Sequence, residues 1–318
     1  RGQKTSATQR SKLPAMQDIA LLAIDWGTSS TRVYAMDRHG RICDARSAPL
    51  GVQRVANGEF AQALKTLCGD GFPEDVPLIA CGMIGSRQGW IEAPYCACPA
   101  DFGTIAAALT RVPGTALAIV PGLVCRDDDG IADVMRGEET QILGALAGDA
   151  KARQVLLLPG THSKWAIIGP DGIETFSTFM TGEVYALLVE HSILGRLAAP
   201  GSDEETFARG VRHSLRSTAA LTHDLFSART LALTGRLAPS GVGDYLSGLL
   251  LGTEIAAARG WLERMRVAPT RLTLVGAQAL VDKYRAALAI AGIDADIGAE
   301  DAAARGLWRI ARHAGLLR

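Results

Sequence analysis

The sequence predicts an α/β fold in which two similar lobes enclose a cleft, and two observations lead to this prediction. A buried strand, a polar loop, a second strand, a tight turn and a third strand follow one another over residues 19–47, and the same series returns over residues 154–179. Helical sequence follows each series, so each meander of strands has helices to cover it. Because such a repeat indicates two copies of one structural unit, the two polar loops are expected to face each other across the cleft.

The first repeat opens with the apolar run at residues 19–24, whose continuous hydrophobicity is typical of a buried strand. The polar segment DWGTSS at residues 25–30 follows and is called the first loop. Residues 32–36 are expected to form the second strand. Residues 37–40 have the chemistry of a turn, and residues 41–47 return as the third strand of an antiparallel meander.

The second repeat has the same plan, with strands at residues 155–158, 165–168 and 173–179. Its polar segment PGTHSK, residues 159–164, is called the second loop. At one constant offset, three residues of the first loop match three of the second: Gly27, Thr28 and Ser30 match Gly160, Thr161 and Ser163. These residue types are common in all turns, so a chance likeness of two hairpins stays open as an alternative.

Further elements follow from periodicity and lead to a division of the chain. Residues 16–150 are expected to form the N-terminal lobe, and residues 151–318 the C-terminal lobe. Residues 1–15 lack the apolar core of a signal peptide and are expected to be disordered or of non-native origin, with Met16 as the natural start. A short buried strand and several helices are predicted: the strand at 271–275, and helices at 134–147, 183–197, 217–226, 247–265 and 281–291.

Composition limits the partners. The 318 residues include 33 basic and 33 acidic side chains, so no overall field attracts the chain to nucleic acid or to an anionic membrane. No apolar run approaches the roughly 20 residues that span a bilayer. The six cysteines show no CxxC spacing, which is consistent with a reducing cytoplasm. A small-molecule partner is expected, and a homodimer is left open.

The first loop has the groups that a phosphate and a magnesium ion require. Its glycine permits close approach of a ligand, consecutive backbone N–H groups can bind phosphate, and Asp25 supplies a carboxylate. The segment AIDWGTSSTR, residues 23–32, resembles the first phosphate loop of the superfold of sugar kinases, heat-shock proteins and actin, which has two ribonuclease-H-like lobes. The resemblance implies that Asp25 holds Mg²⁺ through water and that the ATP phosphates lie on Gly27, Thr28 and Ser29. The alternative is that Asp25 only caps a turn.

The segment LPGTHSKW, residues 158–165, resembles the second phosphate loop of this superfold. The resemblance implies that Lys164 neutralises charge on the transferring phosphoryl group and that three more residues approach that group: Gly160, Thr161 and Ser163. Many sugar kinases of the superfold have a catalytic aspartate near this loop, whereas this chain has Leu158 and Pro159. The catalytic base is therefore expected elsewhere.

Two glutamates are the candidates for the base. The segment RGEETQILGAL, residues 136–146, resembles the glutamate-bearing helix start of the exopolyphosphatase branch of the superfold. This makes Glu138 and Glu139 the candidates, and Glu139 is favoured. The alternative is that acidic residues in a first helical turn only complement the helix dipole, an effect of roughly 0.3–1 kcal/mol. His162 and His191 are assigned to the scaffold.

A third motif is predicted for the nucleotide base and ribose. The segment LTLVGAQALVDKYRAAL, residues 272–288, is a strand, a glycine and an amphipathic helix, and it resembles the adenosine motif of the superfold. The resemblance implies that the nucleotide lies close to Gly276 and Gln278. Any buried strand-to-helix turn of an α/β lobe could look similar.

A glycine-punctuated segment, residues 80–100, is the expected acceptor site. Its arginine, Arg87, can bind a carboxylate through a bidentate pair, while Ser86 and Gln88 can bind hydroxyl groups, so a sugar acid fits better than a neutral sugar. The alternative is a solvated loop with one buried tryptophan.

This segment, together with residues 177–196 and 244–255, resembles the 2-dehydro-3-deoxygalactonokinase family from Met16 onward. The resemblance implies phosphoryl transfer from ATP to the 6-hydroxyl of 2-dehydro-3-deoxy-D-galactonate, a step of galactonate catabolism. Two alternatives stay open: a phosphohydrolase of the exopolyphosphatase type, which would pass the phosphoryl group to water, and a nucleotide-dependent sensor or scaffold.

Overall fold

The computed structural model describes residues 18–69, 76–146, 153–268 and 271–317. Within these ranges the predicted α/β class is confirmed. The strands are β1 (Ile19–Trp26), β2 (Thr31–Asp37), β3 (Ile42–Ala48), β4 (Leu78–Cys81), β5 (Tyr95–Ala97), β6 (Thr110–Arg111), β7 (Leu117–Ile119), β8 (Gly122–Arg126), β9 (Ala132–Met135), β10 (Gln154–Leu158), β11 (Ser163–Gly169), β12 (Gly172–Phe179), β13 (Arg271–Leu274) and β14 (Asp294–Ile297). The helices are α1 (Phe60–Cys68), α2 (Phe102–Ala107), α3 (Glu138–Ala145), α4 (Thr181–His191), α5 (Glu204–Arg216), α6 (Leu221–Leu233), α7 (Val242–Arg264), α8 (Gln278–Ile290) and α9 (Ala302–His313).

The two main sheets repeat one topology. The first has the order β3-β2-β1-β4-β7-β6 and the second has the order β12-β11-β10-β13-β14. In each sheet the first three strands form an antiparallel meander, and the next two run parallel to the strand that opens the meander. The internal repeat predicted from the sequence is thereby confirmed as two ribonuclease-H-like units.

The register shows that the second loop is one residue longer than the first. Trp26 pairs with Thr31 across the first loop, whereas Leu158 pairs with Lys164 across the second. The constant offset in residue number therefore applies from Gly27 and Gly160 onward, through each loop and into β2 and β11. For β1 and β10, which precede the loops, the offset is one residue smaller. Asp25 of β1 corresponds to the apolar Leu157 of β10, so the second repeat has no carboxylate at this position.

Several helix bounds differ from those predicted. The helix expected from residue 134 begins at Glu138, because residues 132–135 pair with β8 as a strand and Gly137 then turns the chain with φ 107°. The helix predicted at 217–226 begins later as α6, and α5 was not predicted. None of the helices in the described ranges is long and apolar enough to cross a membrane.

Packing ties the two units together. The last helix, α9, packs on α3 and on β1 and β4, so the C-terminal end of the chain covers the first sheet. One hydrophobic cluster contains residues of both sheets, among them Leu21 and Leu156. The predicted lobe boundary at residue 150, the predicted segment 1–15 and Met16 lie outside the described residues. The helix α9 belongs to the predicted C-terminal lobe by sequence but packs on the first sheet.

Candidate active site

The first loop is a tight turn with exposed hydroxyl groups. The Gly27 amide donates to the carbonyl of Ser30 over 2.9 Å, and Thr28 and Ser29 lie exposed at the tip. The neighbouring segment supports the turn, since the amide of Gln53 donates to the carbonyl of Thr28. A Cβ atom at Gly51 would lie 2.3 Å from that carbonyl oxygen, so only glycine fits there. The loop is therefore held from below while its hydroxyl groups face outward.

Asp25 lies at the end of β1, beside the ends of β4 and the start of α3. The Cys81 thiol donates to its Oδ1 over 3.9 Å. Burial raises the pKa of Asp25, and the positive charge of Arg32 opposes the rise. Two glycines bring the three elements together: a Cβ at Gly82 would lie 2.7 Å from the carbonyl oxygen of Trp26, and one at Gly137 would lie 3.2 Å from the Cα of Gly82.

Both candidate glutamates belong to the same cluster. Burial raises the pKa of the Cys81 thiol well above its usual value, and the carboxylates of Asp25, Glu139 and Glu138 add to this rise. Carboxyl groups of two elements, β1 and α3, are therefore close enough to act on this thiol, and that of Asp25 is in contact with it. A divalent cation would favour the ionised forms of carboxyl groups in such a place, and oxygen atoms are the ligands that Mg²⁺ prefers.

Glu139 does not reach the surface of the site in this structure. Its side chain is 0% exposed, and its carboxylate accepts from the amide of Gly137 over 2.6 Å and from the hydroxyl of Thr140 over 3.0 Å. Burial, with the neighbouring charge of Glu138, raises the pKa of Glu139 to about 8. A carboxyl group that is fully buried and hydrogen-bonded to Gly137 and Thr140 does not reach an acceptor hydroxyl group, so the sequence-based preference for Glu139 over Glu138 is not supported by its position.

Glu138 is less buried and faces charges from the second repeat. Its carboxylate accepts from the backbone amide of Arg136 over 3.0 Å. Burial raises the pKa of Glu138, and the positive charges of Lys164 and His162 oppose the rise. Since those two residues belong to the second loop, Glu138 lies between the two repeats.

The buried Glu139 gives a prediction for stability. Because its pKa is about 8 in the folded protein and its usual value is 4.5, the folded state keeps a proton that the unfolded state has lost between these pH values. The free energy of unfolding should therefore fall as pH rises through this window, by at most about 1.4 kcal/mol per pH unit for one group. Glu139→Gln should flatten the curve of unfolding free energy against pH, measured by urea denaturation. Parallel curves for the wild type and the variant would contradict this assignment.

The second loop is supported by the start of α4. The amide of Glu183 donates to the carbonyl of Thr161 over 3.0 Å, and the Glu183 carboxylate pairs with the ring of His162. A Cβ at Gly182 would lie 2.5 Å from the carbonyl oxygen of Gly160. Thr161 is exposed, so this loop, like the first, presents a hydroxyl group to a ligand.

Two residues of this loop that were predicted to approach phosphate have side chains that contact other groups of the protein. Ser163 is fully buried, and its hydroxyl donates to the Glu254 carboxylate over 2.8 Å. Lys164 is 4% exposed, and its Nζ donates to the carbonyl of Val134 and to the hydroxyl of Thr178. The ammonium group therefore joins β9, β11 and β12 at the junction of the repeats, where its charge acts on Glu138. Direct contact of either side chain with phosphate is not supported by these positions.

The predicted adenosine motif lies against the second loop. A Cβ at Gly276 would lie 3.4 Å from the carbonyl oxygen of Pro159. Gln278 is exposed and donates to Asp282 on the first turns of α8. A cavity is lined by residues of the loop, α4, α7 and α8, including Gly160, Thr181, Gly182, Leu250, Leu280 and Tyr284, but Gly276 and Gln278 are not among its lining residues. Residues of the second and third motifs therefore line one cavity.

Side chains of the predicted acceptor segment form hydrogen bonds and an ion pair within the segment. Ser86 donates from its hydroxyl to the carbonyl of Met83 over 2.7 Å and accepts from the amide of Gln88. The Arg87 guanidinium is 87% exposed and pairs with Glu92, with 3.1 Å between Nε and Oε1. Trp90 stacks on Phe60, so the alternative of a solvated loop with one packed tryptophan describes part of this segment as well.

Comparison with known proteins settles the family. The family model described as 2-keto-3-deoxy-galactonokinase matches residues 25–310. This chain belongs to that family. A relative from Rhizobium meliloti (strain 1021), named as a 2-dehydro-3-deoxygalactonokinase, is 38% identical over 304 residues, covering 90% of this chain and 97% of the relative. The 2-dehydro-3-deoxygalactonokinase of Escherichia coli (strain K12) is 35% identical over 295 residues, covering 92% and 97%.

Solved structures agree with the 2-keto-3-deoxy-galactonokinase assignment. A crystal structure from Sinorhizobium meliloti that carries the same kinase name has a TM-score of 0.82 and 36% identity, and the match covers 92% of this chain and 96% of that chain. The activator of 2-hydroxyisocaproyl-CoA dehydratase from Clostridium difficile has a TM-score of 0.50 at 10% identity, with 92% and 93% covered, which shows the shared fold alone. The resemblance stated from the sequence is confirmed.

Glu254 was not identified as a site residue from the sequence. Its carboxylate is 2% exposed and accepts from Ser163, from the indole of Trp165 and from the hydroxyl of Tyr284. All three partners donate to this side chain, and a carboxylate can accept several hydrogen bonds at once. The available signal was a single charged residue inside the apolar helical sequence of residues 245–258.

Replacing Glu254 should therefore weaken both the fold and the second loop. In Glu254→Gln the amide nitrogen cannot accept a hydrogen bond, so at least one buried donor loses its partner, at a cost of about 1–3 kcal/mol in the free energy of unfolding. The KM for ATP should also rise, because Ser163 belongs to the second loop. Urea denaturation and initial-rate kinetics measure the two effects. The matched control is Glu263→Gln on the exposed face of the same helix, and equal behaviour of the two variants would contradict the assignment.

Proposed function

We propose that this protein transfers the γ-phosphoryl group of ATP to the 6-hydroxyl of 2-dehydro-3-deoxy-D-galactonate, which gives the 6-phosphate and ADP, in galactonate catabolism in the cytoplasm. Family membership supports the reaction. The observation that carries the site is the close approach of the end of β1, which bears Asp25, and the start of α3, which bears Glu138, through Gly82 and Gly137. The charges of Lys164 and His162 from the second loop act on Glu138 at this place. The experiment that tests the proposal is acceptor-dependent release of ADP.

Mg²⁺ is the proposed metal, and Asp25 is the residue proposed to hold it. Burial raises the pKa of Asp25, and a bound cation would favour its ionised form. Mg²⁺ usually keeps several waters and binds substrate phosphates with one or two protein carboxylates, so Asp25 at the end of β1 is a sufficient protein ligand. The ion would neutralise charge on the phosphates during transfer.

The ATP phosphates are proposed to lie between the two loops, with the nucleoside in the cavity beside α8. The proposed contacts are the backbone and hydroxyl groups of the exposed loop residues, together with the adenosine motif: Gly27, Thr28, Ser29, Gly160, Thr161, Gly276 and Gln278. Ser163 and Lys164 are proposed to act indirectly. Ser163 fixes the loop through Glu254, and Lys164 fixes the junction of the repeats.

Glu138 is proposed as the group that orients the acceptor hydroxyl, in place of Glu139. The carboxylate of Glu138 takes the proton of the 6-hydroxyl as the oxygen bonds to the γ-phosphorus, and the bond from that phosphorus to the bridging oxygen of ADP breaks. Phosphoryl transfer depends mainly on positioning and charge stabilisation. Glu139 supports this arrangement by its hydrogen bond to Gly137 at the start of α3.

The two alternatives are not favoured by the family assignment. A phosphohydrolase would use the same loops and carboxylates but would release inorganic phosphate in the absence of an acceptor. A sensor or scaffold would bind ATP without turnover. Both are distinguished from a kinase by the same assay, because only a kinase requires the sugar acid for ADP release.

A further inference from the structure

We infer that Arg136 binds the carboxylate of the sugar acid, an inference that rests on the proposed function. Arg136 lies between β9 and α3, where its Nη2 donates to the carbonyl of Ala93 over 2.9 Å. Its Nε and Nη1 atoms are buried and have no hydrogen-bond acceptor among the described residues. A guanidinium in this position has donors available for a ligand that the protein itself does not supply.

The charge of Arg136 also lacks an anionic partner. Within the described parts of the chain, no carboxylate oxygen lies within 4.0 Å of its guanidinium. The group lies over the ring of Tyr95, 4.4 Å from the centroid, and a Cβ at Gly85 would lie 3.0 Å from Nη1. Burying a cation among weakly polar groups is costly unless it is paired and hydrogen-bonded. A substrate carboxylate would meet both needs, because arginine and carboxylate form charge-assisted hydrogen bonds.

Arg87, the arginine that the sequence favours, is placed differently. It is 87% exposed and already paired with Glu92. An exposed ion pair gains little from exchanging one carboxylate for another, since water screens both. The buried guanidinium with open donors is therefore the stronger anchor.

The surroundings of Arg136 place this anchor at the acceptor segment. Ala93, Gly85 and Tyr95 all belong to residues 80–100, and Tyr95 is 44% exposed, so the cation lies directly beneath a surface that a ligand can reach. The backbone amide of Arg136 donates to the carboxylate of Glu138. A sugar acid held here by its carboxylate would have its remaining carbons beside the start of α3. The two nitrogen atoms are covered in this structure, so binding requires this segment to shift.

The test compares Arg136→Met with the matched variant Arg87→Met. The wild type and both variants are assayed with 2-dehydro-3-deoxy-D-galactonate and with its neutral carboxamide analogue, and kcat/KM is determined for each. Arg136→Met should lose about 10- to 100-fold in kcat/KM for the acid and little for the amide, the range expected for a charge-assisted pair. Arg87→Met should keep the preference of the wild type for the acid. In Arg136→Lys the loss of kcat/KM for the acid should be intermediate, because lysine keeps the positive charge but lacks the planar guanidinium that can bind a carboxylate through two hydrogen bonds.

Each outcome decides the inference. Equal losses for acid and amide in Arg136→Met would show a merely structural role and overturn it. If Arg87→Met loses the preference for the acid over the amide while the Arg136 variants keep it, Arg87 binds the carboxylate and the inference is overturned. If circular dichroism shows that Arg136→Met is unfolded, Arg136→Lys is used instead. A ratio of kcat/KM for the acid to kcat/KM for the amide that equals the wild-type ratio would then overturn the inference. Failure of the wild type to phosphorylate the acid would instead refute the proposed function.

Discussion

Asp25→Asn should reduce kcat on the order of a hundredfold or more, because Mg²⁺ loses its charged protein ligand and a loss of about 3 kcal/mol in transition-state stabilisation corresponds to this factor. The fold should not suffer, since burial raises the pKa of Asp25 and a neutral amide is less costly to bury than a carboxylate. The concentration of Mg²⁺ at half-maximal rate should rise. Initial rates across a magnesium titration, with thermal unfolding of the same samples, measure these effects.

A suitable control for this variant is Asp44→Asn. Asp44 is exposed on β3 and pairs with Arg46 at the surface, away from the junction of the repeats. It should retain the wild-type rate and magnesium requirement. A rate close to that of the wild type in Asp25→Asn would refute the proposed magnesium site.

Glu138→Gln should lower kcat by about 10²- to 10⁴-fold if its carboxylate takes the proton of the acceptor, which is the usual range for general acid–base catalysis. The amide keeps the size of the side chain but cannot accept a proton. The KM for the acceptor should change less than kcat, because the carboxylate acts mainly in the transition state. Initial-rate kinetics with varied acceptor measure both constants.

Glu139→Gln is the matched comparison, since the two glutamates are neighbours in the first turn of one helix. Its kcat should fall much less, because the Glu139 carboxyl group is sealed from the site and bonds to Gly137 and Thr140. A hundredfold loss in Glu139→Gln with a small loss in Glu138→Gln would reverse the two roles and restore the assignment that the sequence alone favoured.

The repeat could be predicted from the sequence because it depends on local chemistry. Apolar runs followed by glycine, threonine and serine specify a strand and a turn whatever surrounds them. For the same reason, the bounds of β1 to β3 and of β10 to β12 are close to those predicted. The helix α5 was missed because its sequence EETFARGVRHSLR is mostly polar, and its buried face is completed by close packing on α7 through Gly210 and Gly248.

Side-chain direction in the site could not be predicted in the same way. Ser163 and Lys164 stand in a motif that resembles a phosphate loop, yet both lie at the start of β11, where the pairing of strands turns them into the interior. Their partners, Glu254 and Val134, are distant in sequence, and nothing within the loop motif itself shows that Ser163 and Lys164 contact them. Arg136 was missed for a related reason, because its open donors are apparent only once residues 80–100 are folded around it.

The most direct test of the central claim is ADP release from magnesium-ATP with a panel of acceptors: 2-dehydro-3-deoxy-D-galactonate, its gluconate epimer, galactonate, glucose and no acceptor. The proposed function predicts rapid ADP release with the first compound and very little without an acceptor. Closure of the site around the acceptor excludes water, which would otherwise hydrolyse ATP. Equal release with and without acceptor would identify a phosphohydrolase instead, and ATP binding with no release for any acceptor would identify a sensor or scaffold.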